Sequence, residues 1–197
     1  MNFQLGLTGS IGMGKSTTAK LFSESGCDVW DADSSVHRLY EKGGAAVDPI
    51  SKIFPSSIVN DAVCRKNLRE ILSQNQNAFL QLEAIVHPLV AKDRAEFIQN
   101  AKANILVFDI PLLFETNSDK DMDASACVYI DQETQKKRTL GRGTLTEEQF
   151  SQILAKQMPI SEKRARADYV IMTDTLENVR DQIKHILADI RSQLTNA

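Results

Sequence analysis

Apolar residues recur along this chain in two alternating rhythms. Phe3, Leu5 and Leu7 alternate with Gln4 and Gly6, predicting a strand that runs straight into a glycine-rich turn. From Lys15 to Ser25 the spacing becomes helical, with Ala19, Leu21 and Phe22 on one face and Gly26 placed to cap the end. Val29-Trp30 predicts a short second strand that ends in Asp31-Ala32-Asp33. Ile105 to Phe108 is a continuous apolar run ending at Asp109, the pattern of a strand buried on both faces of a parallel sheet. Ala126 to Ile130, ending at Asp131, is a second such run, and Tyr169 to Met172 is the last strand. Val179, Ile183, Ile186, Leu187 and Ile190 then mark an amphipathic C-terminal helix. Strand–helix alternation of this kind predicts an α/β fold with helices on both faces of a parallel sheet.

The stretch from about Ser34 to Lys102 breaks that rhythm. Leu68, Ile71 and Leu72, then Phe79, Leu80, Leu82, Ile85 and Val86, then Leu89, Val90, Phe97 and Ile98 follow helical spacing, with no strong strand pattern among them. Gly43-Gly44, Pro49 and Pro55 punctuate the region before those helices begin. A helical insert after the second strand would overhang the carboxyl ends of the strands, where ligands sit in open α/β sheets. It is expected to form an acceptor-binding lobe, with a purely structural cap as the alternative.

The strongest chemical signal is Gly9-Ser10-Ile11-Gly12-Met13-Gly14-Lys15-Ser16-Thr17, which satisfies G-x-x-x-x-G-K-[ST] between a predicted strand and a predicted helix. Glycines let backbone N–H groups turn inward around phosphate oxygens, and the helix N-terminus adds partial positive charge at the same point. Lys15 is placed for the β- and γ-phosphates, Ser16 for a magnesium ion and Thr17 for the α-phosphate.

Composition narrows the setting. The 197 residues carry a net charge of -3, with 42% hydrophobic and 25% charged residues, so bulk charge draws the protein to neither nucleic acid nor anionic membrane. Cys27, Cys64 and Cys127 are odd in number and widely spaced, with no metal-ligand pairing, and are expected to be buried or half-buried thiols in a reducing compartment. The N-terminus lacks a signal-peptide pattern and no stretch is apolar for long enough to span a membrane, so a cytoplasmic protein is expected, monomeric or weakly homo-oligomeric.

A P-loop implies a nucleotide without naming the reaction. The D-x-x-G and N-K-x-D elements of GTPases and the L-S-G-G-Q signature of ABC proteins are absent. The short chain, the helical insert and the late basic cluster instead suit a small-molecule kinase, which must close over its substrates to exclude water. Four further blocks then resemble the dephospho-CoA kinase family: Asp31-Ala32-Asp33, His87-Pro88-Leu89-Val90, Asp109-Ile110-Pro111-Leu112-Leu113-Phe114-Glu115, and Gln157-Met158-Pro159 with Glu162 to Ile171. With the P-loop, these blocks run in order from about residue 3 to residue 190.

The resemblance implies a P-loop kinase three-layer fold in a single domain. The core would be 1–33, 103–135 and 168–197, with an acceptor-binding insert at about 34–102 and a lid at about 136–157. It implies transfer of phosphate from MgATP to the ribose 3′-hydroxyl of dephospho-CoA, with no structural metal. Asp33 is the candidate general base or orienter of that hydroxyl, with a helix N-cap as its alternative role. Asp31 either holds a magnesium-bound water or finishes its strand, and Asp109 either orients the metal's water shell or forms a turn. Gly12, Met13, Gly14, Lys15, Ser16, Thr17 and Arg138 are expected at the nucleotide, with Lys15 and Arg142 acting on the transferring group. Arg138 and Arg142 are expected on one face of a helix after Asp131, with Lys136 and Lys137 in solvent and Thr146 opening the lid's return helix. Asp33, His87, Leu113 and Glu115 are expected at the acceptor, and His87 has a structural alternative at a helix joint. Three positions depart from the family pattern, namely Ile153, Gly143 and the Met172-Thr173-Asp174 segment. Another small-molecule kinase with a nucleoside or nucleotide acceptor, or a non-catalytic ATP-dependent binding module, stays open as an alternative.

Overall fold

The computed structural model describes residues 2–196, with all their side chains except those of Gln76 and Asn196. The chain folds as two compact units, Met1–Trp30 with Ala101–Ala197, and Asp31–Asn100. β1 (Phe3–Thr8), α1 (Lys15–Glu24) and β2 (Asp28–Asp31) lead into the second unit. There α2 (Ala32–Tyr40), α3 (Val47–Ile53), a hairpin of β3 (Ile58–Val59) and β4 (Ala62–Val63), α4 (Arg65–Gln74) and α5 (Gln76–Asn100) follow one another. The chain returns through β5 (Ile105–Asp109), β6 (Ala124–Tyr129), α6 (Gln132–Leu140), α7 (Glu147–Ala155), α8 (Ile160–Arg166), β7 (Tyr169–Met172) and α9 (Leu176–Asn196).

In the first unit the strands form one sheet in the order β2-β5-β1-β6-β7. The β1–β5, β1–β6 and β6–β7 pairs are parallel, and Leu7 lies level with both Asp109 and Ala126. Strand alternation sends Leu5, Leu7, Val107, Ala126, Val128 and Ile171 into one cluster with Leu21 and Phe22 of α1 and Val179, Ile183 and Ile190 of α9. The opposite face is buried too: Leu106 and Phe108 are inaccessible, and Phe108 packs its ring 6.0 Å from that of Trp30. This two-sided burial is why β5 reads as an unbroken apolar run. From β1 the chain turns first to β2 and β5 on one side and later to β6 and β7 on the other. The end of β1 is therefore the switch point of the sheet, where such folds bind ligands.

The second unit has its own core, in which Leu39, Ile50, Phe54, Leu68, Leu82 and Val86 meet. Several expectations are corrected there. The region is not purely helical, because Ile58↔Val63 and Val59↔Ala62 pair as an antiparallel hairpin. Its turn is Asn60-Asp61, both at positive φ (53° and 61°), the two-residue geometry that matches strand twist. His87 is not at a joint, since α5 runs on through Pro88. Burial of Leu82 and Val86 before it and partial burial of Leu89 and Val90 after it offset the one hydrogen bond that proline removes. Phe79 and Leu80 face solvent rather than core, at 52% and 64% exposure.

Cys27 and Cys127 are buried and Cys64 is half-buried, all as free thiols. Burial pushes both Cys27 and Cys127 up to about 11, so neither ionises near neutrality. Among the described residues no helix is long and apolar enough to cross a membrane.

Candidate active site

The glycine-rich loop leaves β1 at the switch point and enters α1 through Gly14, whose φ of 86° is left-handed. Gly14 offers no capping side chain, so the first N–H groups of α1, which have no acceptor inside a helix, stay available for an anion. Gly12 is also left-handed, at φ 77°, and a Cβ there would come 2.0 Å from Thr139 Oγ1. The loop is thus pressed against α6, and only glycine fits.

Side chains from far along the sequence hold it there. Gln135 Nε2 donates to the Ile11 carbonyl at 2.7 Å, and Ile11 N–H donates to Gln157 Oε1 at 3.3 Å. Thr173 Oγ1 donates to the Met13 carbonyl at 2.8 Å. The Met13 side chain is buried, and its N–H donates to the Ser10 carbonyl. Met13, expected at the nucleotide, is therefore an anchor of the loop.

Lys15 forms an ion pair with Asp109, whose carboxylate is only 1% exposed at the end of β5. Ser16 and Thr17 present exposed side chains on the first turn of α1. Thr17, Gly12 and Gly14 line a cavity of about 240 Å³ together with Arg138, Arg142, Thr173 and Asp174. Of the residues expected at the nucleotide, Gly12, Gly14, Thr17 and Arg138 line this one cavity, and Met13, Lys15 and Ser16 do not.

Two details differ from expectation. Helix α6 stops at Leu140, capped at Gly141, so Arg142 lies beyond it in a turn that Gly143 completes at φ 68°. Both arginines reach the same cavity even so. Arg138 does structural service as well, donating to the carbonyls of Thr173 at 2.8 Å and Asp174 at 3.2 Å. Thr173, noted in the sequence as a departure, is therefore the tie between the loop after β7 and the P-loop. The return helix α7 begins at Thr146 with a complete capping box to Gln149 and an acidic first turn of Glu147 and Glu148. Lys136 is exposed to solvent, as expected, and pairs there with Glu147.

Leu113 and Glu115 are also not open surface residues. Leu113 is fully buried beside Gly6 of β1. Glu115 Oε1 accepts from the Met158 N–H at 2.9 Å and from Lys163 Nζ at 2.8 Å. Lys163, fully buried, also donates to the Pro111 carbonyl at 2.9 Å. The element after Asp109 is stapled in place by a lysine that nothing in the sequence distinguished from its charged neighbours.

In the second unit Asp31, not Asp33, is the N-cap of α2, its Oδ1 accepting from the Ser34 N–H at 2.6 Å. Asp33 sits in the first turn with its side chain exposed, and both aspartates line one pocket. His87 is exposed on α5, 3.7 Å from Glu83.

The family whose sequence profile matches is dephospho-CoA kinase, over residues 3–178. The chain belongs to that family. A dephospho-CoA kinase of Ruegeria pomeroyi is 59% identical over 192 residues, covering 98% of either chain. Among solved structures, a Thermus thermophilus protein superposes with a TM-score of 0.85 at 28% identity, covering 95% of this chain and 97% of its own. Dephospho-CoA kinase from Campylobacter jejuni superposes with a TM-score of 0.68 at 26% identity, covering 96% of this chain and 98% of its own. The expected P-loop kinase fold is thereby confirmed, and the protein is a kinase.

The kinase's Glu115 staple gives a pH signature. Burial alone would raise the Glu115 carboxyl, but the Lys163 hydrogen bond and the Met158 N–H outweigh it and hold the group below the ordinary glutamate range. A depressed folded value stabilises the fold fully above the unfolded value of about 4.3 and loses that contribution as pH falls through the folded value. Glu115→Gln is therefore expected to be less stable than wild type at pH 7. The gap in unfolding temperature should shrink as pH is lowered below about 4. A gap that is constant across that range would remove the ion pair from the account.

Proposed function

We propose that the protein transfers the γ-phosphoryl group of ATP to the ribose 3′-hydroxyl of dephospho-CoA, giving coenzyme A and ADP. The observation that carries this reading is the family match along residues 3–178, coinciding with a complete phosphate cradle at the sheet's switch point. The bond from the ribose oxygen to phosphorus forms as the bond from phosphorus to the β,γ-bridging oxygen breaks. The hydroxyl proton passes to the Asp33 carboxylate, which orients the nucleophile as much as it accepts the proton. The loop amides and Lys15 hold the donor phosphates, and Arg142 steadies charge on the transferring group. Arg138 and Thr173 shape the nucleoside end of the donor pocket.

Magnesium fits this site. It keeps several waters and phosphate oxygens as ligands, so it needs few groups from the protein. Among the described residues no three His, Cys, Asp or Glu side chains are grouped as a cage. The Ser16 hydroxyl, exposed on the first turn of α1, would hold the ion, and Asp109 and Asp31, at the ends of β5 and β2 in the one sheet, would be the carboxylates for its water shell. When bound, the ion neutralises charge on the β- and γ-phosphates. A cytoplasmic site of action, where ATP is abundant and thiols stay reduced, belongs to the same proposal.

The test is ADP release with MgATP and dephospho-CoA, adenosine, AMP or no acceptor. Turnover confined to dephospho-CoA is expected. Turnover on a nucleoside or nucleotide alone would keep the kinase and overturn the acceptor, and binding of ATP without transfer would favour a non-catalytic module.

A further inference from the structure

Asp33 shares its pocket with three basic side chains that phosphoryl transfer itself does not require. The pocket, of about 350 Å³, is lined by Asp31, Asp33, Ser34, His37, Arg38 and Arg65. His37 follows Asp33 by four residues on α2, which puts it one turn along the same face, about 5–6 Å away between Cβ atoms. Arg38 comes next, and Arg65 enters as the first residue of α4.

The partners of these groups show what remains for a ligand. The Asp31 carboxylate is engaged by the Ser34 N–H. His37 Nδ1 lies 2.8 Å from Glu41, one turn further along the same face, which leaves its Nε2 for another partner. Arg38 uses one nitrogen, Nη2, on both oxygens of Asp93, at 3.1 and 2.9 Å. That leaves the Nη1 and Nε edges of its guanidinium for other acceptors. Arg65 lies with its guanidinium carbon 5.9 Å from the Tyr40 ring centroid, a contact that leaves its N–H groups uncommitted. The pocket therefore pairs a carboxylate suited to a hydroxyl with a set of forked cationic donors suited to an anion.

A ligand that satisfies both must carry a hydroxyl and a phosphate-type anion a few bonds apart. The ribose of dephospho-CoA does so, with the reacting hydroxyl at C3′ and a diphosphate on C5′ of the same ring. We infer that His37, Arg38 and Arg65 bind the 5′-diphosphate of the acceptor while Asp33 meets its 3′-hydroxyl, an assignment that rests on the phosphoryl-transfer reading above. The acceptor site then selects for the diphosphate arm and not for the nucleoside alone.

Calorimetric titration of dephospho-CoA and of adenosine, with the donor site filled by MgADP, tests this on wild type, Arg65→Gln, Arg65→Lys and His37→Gln. Arg65 and His37 are both exposed, so the variants should fold, which unfolding curves will verify. Loss of a charged hydrogen bond at Arg65 should weaken dephospho-CoA by about tenfold to a hundredfold. The lysine variant should recover part of that loss, and adenosine affinity should stay the same. Dephospho-CoA affinity within twofold of wild type in Arg65→Gln, or equal losses for both ligands, would overturn the assignment. Wild type that binds with the expected pattern but does not turn dephospho-CoA over would sink the transfer reading and leave the diphosphate site standing.

Discussion

Lys15→Met is expected to lower phosphoryl transfer by about a thousandfold and also to lower stability by about 3 kcal/mol. The two losses have different origins. On the proposed mechanism transfer fails because the substitution removes the cation assigned to the β- and γ-phosphates, where charge develops. Stability falls because Lys15 pairs with Asp109, and the substitution takes that cation away from a carboxylate that is 1% exposed. A second substitution separates the effects. Lys15→Met with Asp109→Asn removes the buried charge altogether, so the unfolding temperature should return most of the way to wild type. Activity should not return. A double variant that regains transfer would mean that Lys15 acts only by neutralising Asp109, and the roles assigned to Lys15 at the phosphates and to Asp109 at the magnesium water shell would both fall.

Asp33→Asn carries the second large expectation, a loss in kcat of about a hundredfold to ten-thousandfold, within the range of general-base catalysis. Nucleotide affinity and unfolding temperature should be unchanged, because Asp33 is exposed and takes no part in capping α2. Asp31→Ala is the natural contrast. It removes the side chain that accepts the Ser34 N–H and should cost about 1 kcal/mol of stability, the usual cost of a lost N-cap. If Asp33→Asn instead destabilised the protein while transfer persisted, the roles of the two aspartates would have to be exchanged.

Much of this arrangement is legible in the sequence, for identifiable reasons. Five strands and the helices α1 and α9 follow hydrophobic period, and the P-loop follows from glycine placement, both of which are local properties of the chain. The hairpin escaped because two-residue strands carry too little alternation to be read, although Asn60-Asp61 is a plausible turn pair. The course of α5 through Pro88 escaped because burial on both sides of the proline decides it, and burial is a tertiary property.

The supports of the site were the least visible. Gln157 meets Ile11 across 146 residues, Gln135 meets it across 124, and Thr173 meets Met13 across 160. Lys163 sits in the run Glu162-Lys163-Arg164, where only the structure shows that one of the three is fully buried. Side chains of this kind have no period and no local motif, so they emerge only when the fold brings their partners together. The groups proposed to carry the chemistry, by contrast, lie at strand ends and helix starts, which is why Lys15, Asp33 and Asp109 could be named beforehand.

The most direct test of the central claim is the position of the phosphate in the product formed from dephospho-CoA and MgATP, read by phosphorus–proton NMR correlation. A correlation from the new phosphorus to the ribose H3′, with one ADP released per product, is the expected result. A correlation to H2′, or a phosphate elsewhere on the molecule, would contradict the account of how this kinase holds its acceptor.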